Sequence, residues 1–97
     1  MGKLLDTISK FIVKDLSKKK LNVLDIKFFG SRITGNPRKD SDLDAAIQIE
    51  NIPEWLIKSD SIIYLKFKNL ILELHFFEEE LNFSWLQNSI KGKIHVI

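Results

Sequence analysis

Residues 28–44 read FFGSRITGNPRKDSDLD. They join two runs rich in apolar and β-branched residues, Val23–Phe29 and Leu43–Ile49. The first run alternates between apolar and charged residues, a period typical of a β-strand. Gly30 interrupts it, and a run of turn-forming residues follows before the second run begins. We therefore predict two strands joined by a glycine-containing loop.

Both strands have a predicted inner and outer face. In the first strand, Leu24, Ile26 and Phe28 are expected on one face, opposite Asp25 and Lys27. In the second strand, the residues expected to pack on helices are Leu43, Ala45, Ile47 and Ile49. The second strand can therefore contribute to a core with one face and to a polar site with the other.

A helix is predicted before the first strand. Apolar residues recur there at helical spacing and end near Lys18–Lys20: Leu4, Leu5, Ile8, Phe11, Ile12 and Leu16. After the second strand, Pro53–Lys58 is compatible with one short helical turn. The pattern thus begins helix, strand, loop, strand.

The second half of the chain predicts a hairpin and a further helix. Ile62–Phe67 and Leu70–Phe77 are β-rich, and Lys68-Asn69 between them is a plausible tight turn because Asn tolerates positive φ. Asn82 or Ser84 can cap a helix that carries Trp85, Leu86 and Ile90 and ends at Gly92. Ile94–Ile97 is expected to form a last short strand.

Composition sets the class of protein. The 97 residues, of which 44% are hydrophobic and 29% charged, are expected to form one globular domain over residues 1–97. Because the chain has no cysteine, neither a disulfide framework nor a thiolate zinc site is expected. Its apolar runs are too short for a membrane span, and we expect a cytoplasmic protein. The net charge of +2 is too small to indicate direct nucleic-acid binding.

The chemistry is expected at Asp42 and Asp44. Residues two apart on a strand point to the same face, so both carboxylates can approach one cation. Mg²⁺ binds through one or two carboxylates together with the phosphates of a nucleotide. Gly30 and Ser31 supply the complementary half, because a glycine lets the backbone approach a phosphate and a serine adds an amide and a hydroxyl donor.

The same segment does not match two other nucleotide- or metal-binding motifs. Gly30 and Gly35 have the glycine spacing of a P-loop, but Asn36-Pro37 stands where the essential Lys and Ser/Thr should follow. The acidic residues from Asp40 to Asp44 resemble the start of a calcium-binding loop, but the required glycine and terminal glutamate are absent.

The segment resembles the DNA polymerase β-like nucleotidyltransferase superfamily, and most closely its minimal nucleotidyltransferase (MNT) domains. Phe29-Gly30-Ser31-Arg32, Gly35 and Ser41-Asp42-Leu43-Asp44 match the signature of these domains. The resemblance implies an α/β two-layer (α+β) fold, with a mixed sheet of about four strands and helices on one face. It also implies two Mg²⁺ ions and ATP, with nucleotide contacts from Gly30, Ser31, Arg32 and Ser41.

The sequence departs from the pattern of the family at two positions. Thr34 replaces a residue that is often basic in the family, and the third carboxylate, usually an aspartate, has only Glu73 as its counterpart. Glu73 can point the same way as Asp42 and Asp44 if their strands are adjacent. In that position, Glu73 is expected to act as a general base or as a metal ligand. The alternative is that Glu73 is only a partly exposed strand residue. His75 is expected to be structural, and Trp55 and Trp85 to lie in the core or on a partner surface.

The resemblance further implies a reaction and a partner. Asp42, Asp44 and Glu73 would be the catalytic and metal-binding residues of a transferase that moves AMP from ATP to an acceptor hydroxyl. MNT proteins are commonly encoded beside a HEPN-domain toxin ribonuclease, and family members act as antitoxins that adenylylate the toxin. The resemblance therefore implies such a toxin as the partner, in a homodimer or hetero-oligomer. Two alternatives stay open: a catalytically impaired protein that neutralises its partner by occlusion, and transfer to a small molecule.

Overall fold

The computed structural model of the chain describes residues 2–29 and 43–81. These residues form two helices and four strands, in the order α1 (Gly2–Lys18), β1 (Val23–Phe29), β2 (Leu43–Ile49), α2 (Glu54–Ile57), β3 (Ile62–Phe67) and β4 (Leu70–Phe77). Each of these elements lies where the hydrophobic pattern predicts it.

The four strands form one mixed sheet in the order β1-β2-β4-β3. β1 pairs antiparallel with β2, β2 pairs parallel with β4, and β4 pairs antiparallel with β3. β2 and β4 are therefore the central strands. The predicted α/β two-layer fold with a mixed four-stranded sheet is confirmed.

The main core lies between the helices and one face of the sheet. α1 buries Ile8, Ile12 and Leu16 there, and α2 buries Leu56. The sheet contributes alternate residues of its central strands: Leu43, Ala45, Ile47 and Ile49 from β2, and Leu72, Leu74 and Phe76 from β4. Burial of this much aliphatic surface is the main force that holds the two layers together. Both described helices thus cover the same face, as predicted.

The prediction for β1 was wrong at one residue. Leu24 was expected on the core face, but 52% of it is exposed to solvent. The register of β1 against β2 shifts between Val23 and Asp25, which is a β-bulge. A bulge adds one residue to one strand and changes which face its neighbours occupy. Val23 and Ile26, three residues apart, therefore both pack against the core.

The turn between β3 and β4 also differs from its prediction. Its two residues are Lys68 and Asn69, as expected, but Lys68 has the positive φ of 57°. The pairing of Phe67 with Leu70 makes Lys68 and Asn69 the two central residues of the turn, and the favoured two-residue hairpin turns have positive φ at the first of them. Of the two tryptophans, Trp55 is on the surface of α2, with 48% exposure, and not in the core.

Other predicted features lie outside the described residues. They are the helix from Asn82 or Ser84 to Gly92 with its Trp85, and the strand Ile94–Ile97. Within the described part of the chain, neither α1 nor α2 has the length and apolar character that a membrane crossing requires.

The end of α1 adopts a Schellman motif. The Leu21 amide donates to the Leu16 carbonyl at 2.9 Å, and the Lys20 amide donates to the Ser17 carbonyl at 3.0 Å. This pattern requires the residue after the helix to be left-handed, a position usually occupied by glycine. Here it is Lys20, with φ 63°.

Replacing Lys20 with glycine should stabilise the protein. Glycine adopts positive φ without the steric cost that lysine carries, although it adds conformational entropy to the unfolded chain. We expect Lys20→Gly to raise the free energy of unfolding by about 0.5–1 kcal/mol, measured by urea denaturation. Lys20→Ala removes the same charge but retains the strain, so an equal gain in that control would contradict the explanation.

Candidate metal centre

One row of side chains crosses the sheet on the face opposite α1. Phe29 pairs with Asp44, Asp44 pairs with Glu73, and Glu73 pairs with Tyr64, so the row includes one residue from each strand. Residues directly opposite one another on neighbouring strands project to the same face. The parallel, in-register pairing of β2 with β4 therefore brings the Asp44 and Glu73 carboxylates together.

His75 joins the two carboxylates from the next row. It lies two residues after Glu73 on β4, and it therefore projects to the same face. Its Nε2 atom is 3.7 Å from Asp44 Oδ1 and 3.7 Å from Glu73 Oε2. Its partner on β2 is Ala46, which is completely buried and whose methyl group leaves room for the imidazole.

The three side chains are largely withdrawn from water. The exposed fractions of the side chains alone are 14% for Asp44, 9% for Glu73 and 11% for His75. The ring of Phe29 lies 5.4 Å from the His75 ring, tilted by 52°. Phe29 also forms an apolar cluster with Ala46, Phe77 and Leu81 on this face. Charges beside such a cluster interact more strongly than they would in water.

Tyr64 holds Glu73 in place from the edge strand. Its hydroxyl donates a hydrogen bond of 3.1 Å to Glu73 Oε1. The tyrosine itself is well exposed, whereas the Glu73 carboxylate that it contacts is largely buried. A hydrogen bond of this kind orients a carboxylate for a neighbouring ligand.

The donor set suits a divalent cation. One ligand atom from each of Asp44, Glu73 and His75 lies within 4.8 Å of the other two. The His75 Nε2 atom is buried and has no hydrogen-bond partner among residues 2–29 and 43–81. Its 3.7 Å separations from the carboxylates are too long for hydrogen bonds. A cation between the three groups would satisfy the nitrogen and offset the repulsion between the carboxylates.

The structure describes two of the residues predicted from the sequence. Asp44 and Glu73 lie side by side, as expected if their strands are adjacent. Gly30, Ser31, Arg32, Ser41 and Asp42 lie outside the described residues. Their predicted roles, like the catalytic roles of Asp44 and Glu73, stay predictions.

The structure brings His75 and Tyr64 to the predicted carboxylates, and the structural role predicted for His75 stays a prediction. His75 was expected to be structural, although its position two residues after Glu73 already placed both side chains on one face. The sequence contains no comparable signal for Tyr64. Its contact with Glu73 depends on the register between β3 and β4, which is determined only when the hairpin forms.

We compared the chain with known proteins. A scan against models of protein families found no match, and searches of curated proteins and of solved structures returned no significant match.

Neutralising Asp44 should stabilise the metal-free protein. Asp44 and Glu73 place two carboxylates in one buried cluster, and like charges on them repel each other. We expect Asp44→Asn to raise the free energy of unfolding of the metal-free protein by about 1 kcal/mol, because this repulsion is removed. Urea denaturation in the presence of EDTA measures the difference.

Asp6→Asn is the matched control for this substitution. Asp6 is exposed on α1, so its neutralisation should leave stability nearly unchanged. If Asp44→Asn destabilised the metal-free protein, the carboxylate would be contributing favourable contacts that outweigh its repulsion with Glu73.

Proposed function

We propose that the protein is a Mg²⁺-dependent nucleotidyltransferase that moves AMP from ATP to an acceptor hydroxyl. The observation that carries this proposal is the in-register pairing of Asp44 with Glu73 on one face of the sheet. Carboxylates held side by side, with little access to water, are the ligands that a metal-nucleotide site requires. The resemblance of residues 28–44 to MNT domains supplies the reaction class.

Asp42, Asp44 and Glu73 are the proposed metal ligands. A divalent ion bound there would neutralise charge on the triphosphate and on the departing pyrophosphate. Glu73 is the residue suited to a second role, as the general base that receives the proton of the acceptor hydroxyl. The hydrogen bond from Tyr64 holds Glu73 in position for either role.

The transfer forms one bond and breaks one. The acceptor oxygen bonds to the α-phosphorus of ATP, and the bond from that phosphorus to the oxygen bridging to the β-phosphate breaks. AMP becomes attached to the acceptor, and pyrophosphate leaves with the electrons of the broken bond. The hydroxyl proton passes to Glu73 or to solvent.

The proposed nucleotide contacts adjoin this centre in the chain. β1 ends at Phe29, which pairs with Asp44, and β2 begins at Leu43. The chain therefore leaves the described sheet beside Asp44 and re-enters it one residue before Asp44. Gly30, Ser31, Arg32 and Ser41 belong to the segment between these points, and we assign them to the phosphates of ATP.

The proposed acceptor is a HEPN-domain toxin ribonuclease, which this protein would adenylylate as its antitoxin. This part of the proposal rests on the resemblance to MNT domains alone. It includes a cytoplasmic location, where ATP and such a partner occur together. Direct binding to nucleic acid is not required, which agrees with the small net charge of +2.

Transfer should depend on both described carboxylates. We expect the wild-type protein, incubated with α-labelled ATP, Mg²⁺ and the partner toxin, to label the toxin. Asp44→Asn and Glu73→Gln should each lower the rate by at least about 100-fold, because each removes charge that stabilises the transition state. Labelled protein, separated by electrophoresis, gives the rate.

Asp6→Asn and Glu54→Gln are the matched controls, since both residues are exposed and neither belongs to the carboxylate row. They should transfer label at the wild-type rate. Absence of transfer by the wild type, with the partner still bound and inhibited, would overturn catalysis in favour of occlusion. Label in a low-mass product without a protein partner would instead favour a small-molecule acceptor.

Ser31 should affect nucleotide affinity rather than metal binding. A hydroxyl that donates to a phosphate contributes roughly 1.5–3 kcal/mol, so Ser31→Ala should weaken the binding of MgATP by about tenfold or more. Isothermal titration calorimetry measures the affinity, and Ser17→Ala, on the exposed side of α1, is the control. Unchanged affinity in Ser31→Ala would remove Ser31 from the proposed site.

A further inference from the structure

We infer that Asp44, Glu73 and His75 form a three-ligand site for Zn²⁺ in which the His75 nitrogen causes Zn²⁺ to be preferred over Mg²⁺. The site consists of one imidazole nitrogen and two carboxylates, all within 4.8 Å of one another. It differs from an all-oxygen magnesium site in its nitrogen donor. It also needs no thiolate, and the chain has no cysteine.

The donor chemistry favours a borderline-soft ion. Mg²⁺ prefers oxygen ligands and retains several of its waters, whereas imidazole is a strong ligand for Zn²⁺. Zn²⁺ sites that retain an open position commonly have three protein ligands, drawn from histidine and acidic residues. Asp44, Glu73 and His75 match that set in number and in type.

The distances favour the same ion. At ordinary Zn²⁺–ligand lengths, two donors in a tetrahedral site are about 3.3–3.6 Å apart. Neighbouring donors of an octahedral Mg²⁺ site are about 2.8–3.0 Å apart. The His75 Nε2 atom is 3.7 Å from an oxygen of each carboxylate, a separation slightly above the tetrahedral range and well above the octahedral one.

The described surroundings of His75 offer no hydrogen bond to its Nε2 atom. Only 8% of His75 is exposed, and Nε2 has no hydrogen-bond partner within residues 2–29 and 43–81. A buried imidazole nitrogen in that state is costly unless it is bound by something. The Phe29 ring and the small Ala46 hold the imidazole beside the carboxylates, so little reorganisation is needed when an ion enters.

This inference rests on the proposed function only in that both place a metal ion at Asp44 and Glu73. That ion would be Zn²⁺, and the Mg²⁺ of the proposed reaction would be the ion that accompanies ATP. Metal binding can be measured without nucleotide or partner, so the inference and the transfer reaction can fail separately.

The test is a metal titration of the full chain after removal of bound ions with EDTA. We expect one Zn²⁺ per chain in equilibrium dialysis, retained in a 100-fold excess of Mg²⁺. His75→Gln, which replaces the nitrogen donor with an amide, should weaken Zn²⁺ binding by at least about tenfold and change Mg²⁺ binding by less than about threefold. His95→Gln removes the chain's other histidine and is the matched control.

A second measurement on the wild-type protein covers the case in which His75→Gln does not fold. The imidazole signals of His75 in NMR spectra should shift on addition of one equivalent of Zn²⁺. Equal affinity for Zn²⁺ and Mg²⁺, or unshifted His75 signals, would overturn the inference and leave the transfer reaction standing. Zn²⁺ bound at His75 without any transfer of label would support the inference and overturn the proposed function.

Discussion

The parallel pairing between β2 and β4 is the constraint on which the candidate metal centre depends. Asp44 and Glu73 are 29 positions apart in the chain, and only this pairing makes them neighbours. A shift of one residue would turn Glu73 toward the helices and Leu72 or Leu74 toward the carboxylate of Asp44. The register is secured by the apolar face, because such a shift would also expose the buried leucines of β4.

The two faces of the central strands therefore have opposite energetic roles. Leu43, Ala45 and Ile47 of β2 bury apolar surface against α1 and α2, and this burial stabilises the fold. Asp44, between them in sequence, projects to the other side, where it joins a second carboxylate and an imidazole away from water. Groups of this kind are costly to bury without a ligand. The stability of one face thus maintains an arrangement on the other that favours the binding of a cation.

The departures from the sequence predictions have specific physical causes. Leu24 faces solvent because a bulge in β1 adds a residue that the alternating pattern cannot reveal. Lys68 takes the left-handed position, although Asn69 tolerates it better, because the turn must fit the twist of the two strands it joins. Tyr64 reaches Glu73 through the hairpin register. Each depends on pairing between strands, which composition and periodicity do not encode.

The sequence by itself determined the elements and their faces. Helical and period-two spacing located α1, α2 and the four strands, and alternation placed Asp44 opposite the apolar side of β2 and Glu73 beside His75. Only the tertiary structure decided that Asp44 of β2 and the Glu73 and His75 side chains of β4 lie on the same face of one sheet. The physical reason is that periodicity is a local property, whereas strand order and register follow from packing the whole apolar surface at once. That packing brought His75 Nε2 to 3.7 Å from both described carboxylates and so added a nitrogen donor that the sequence prediction did not include.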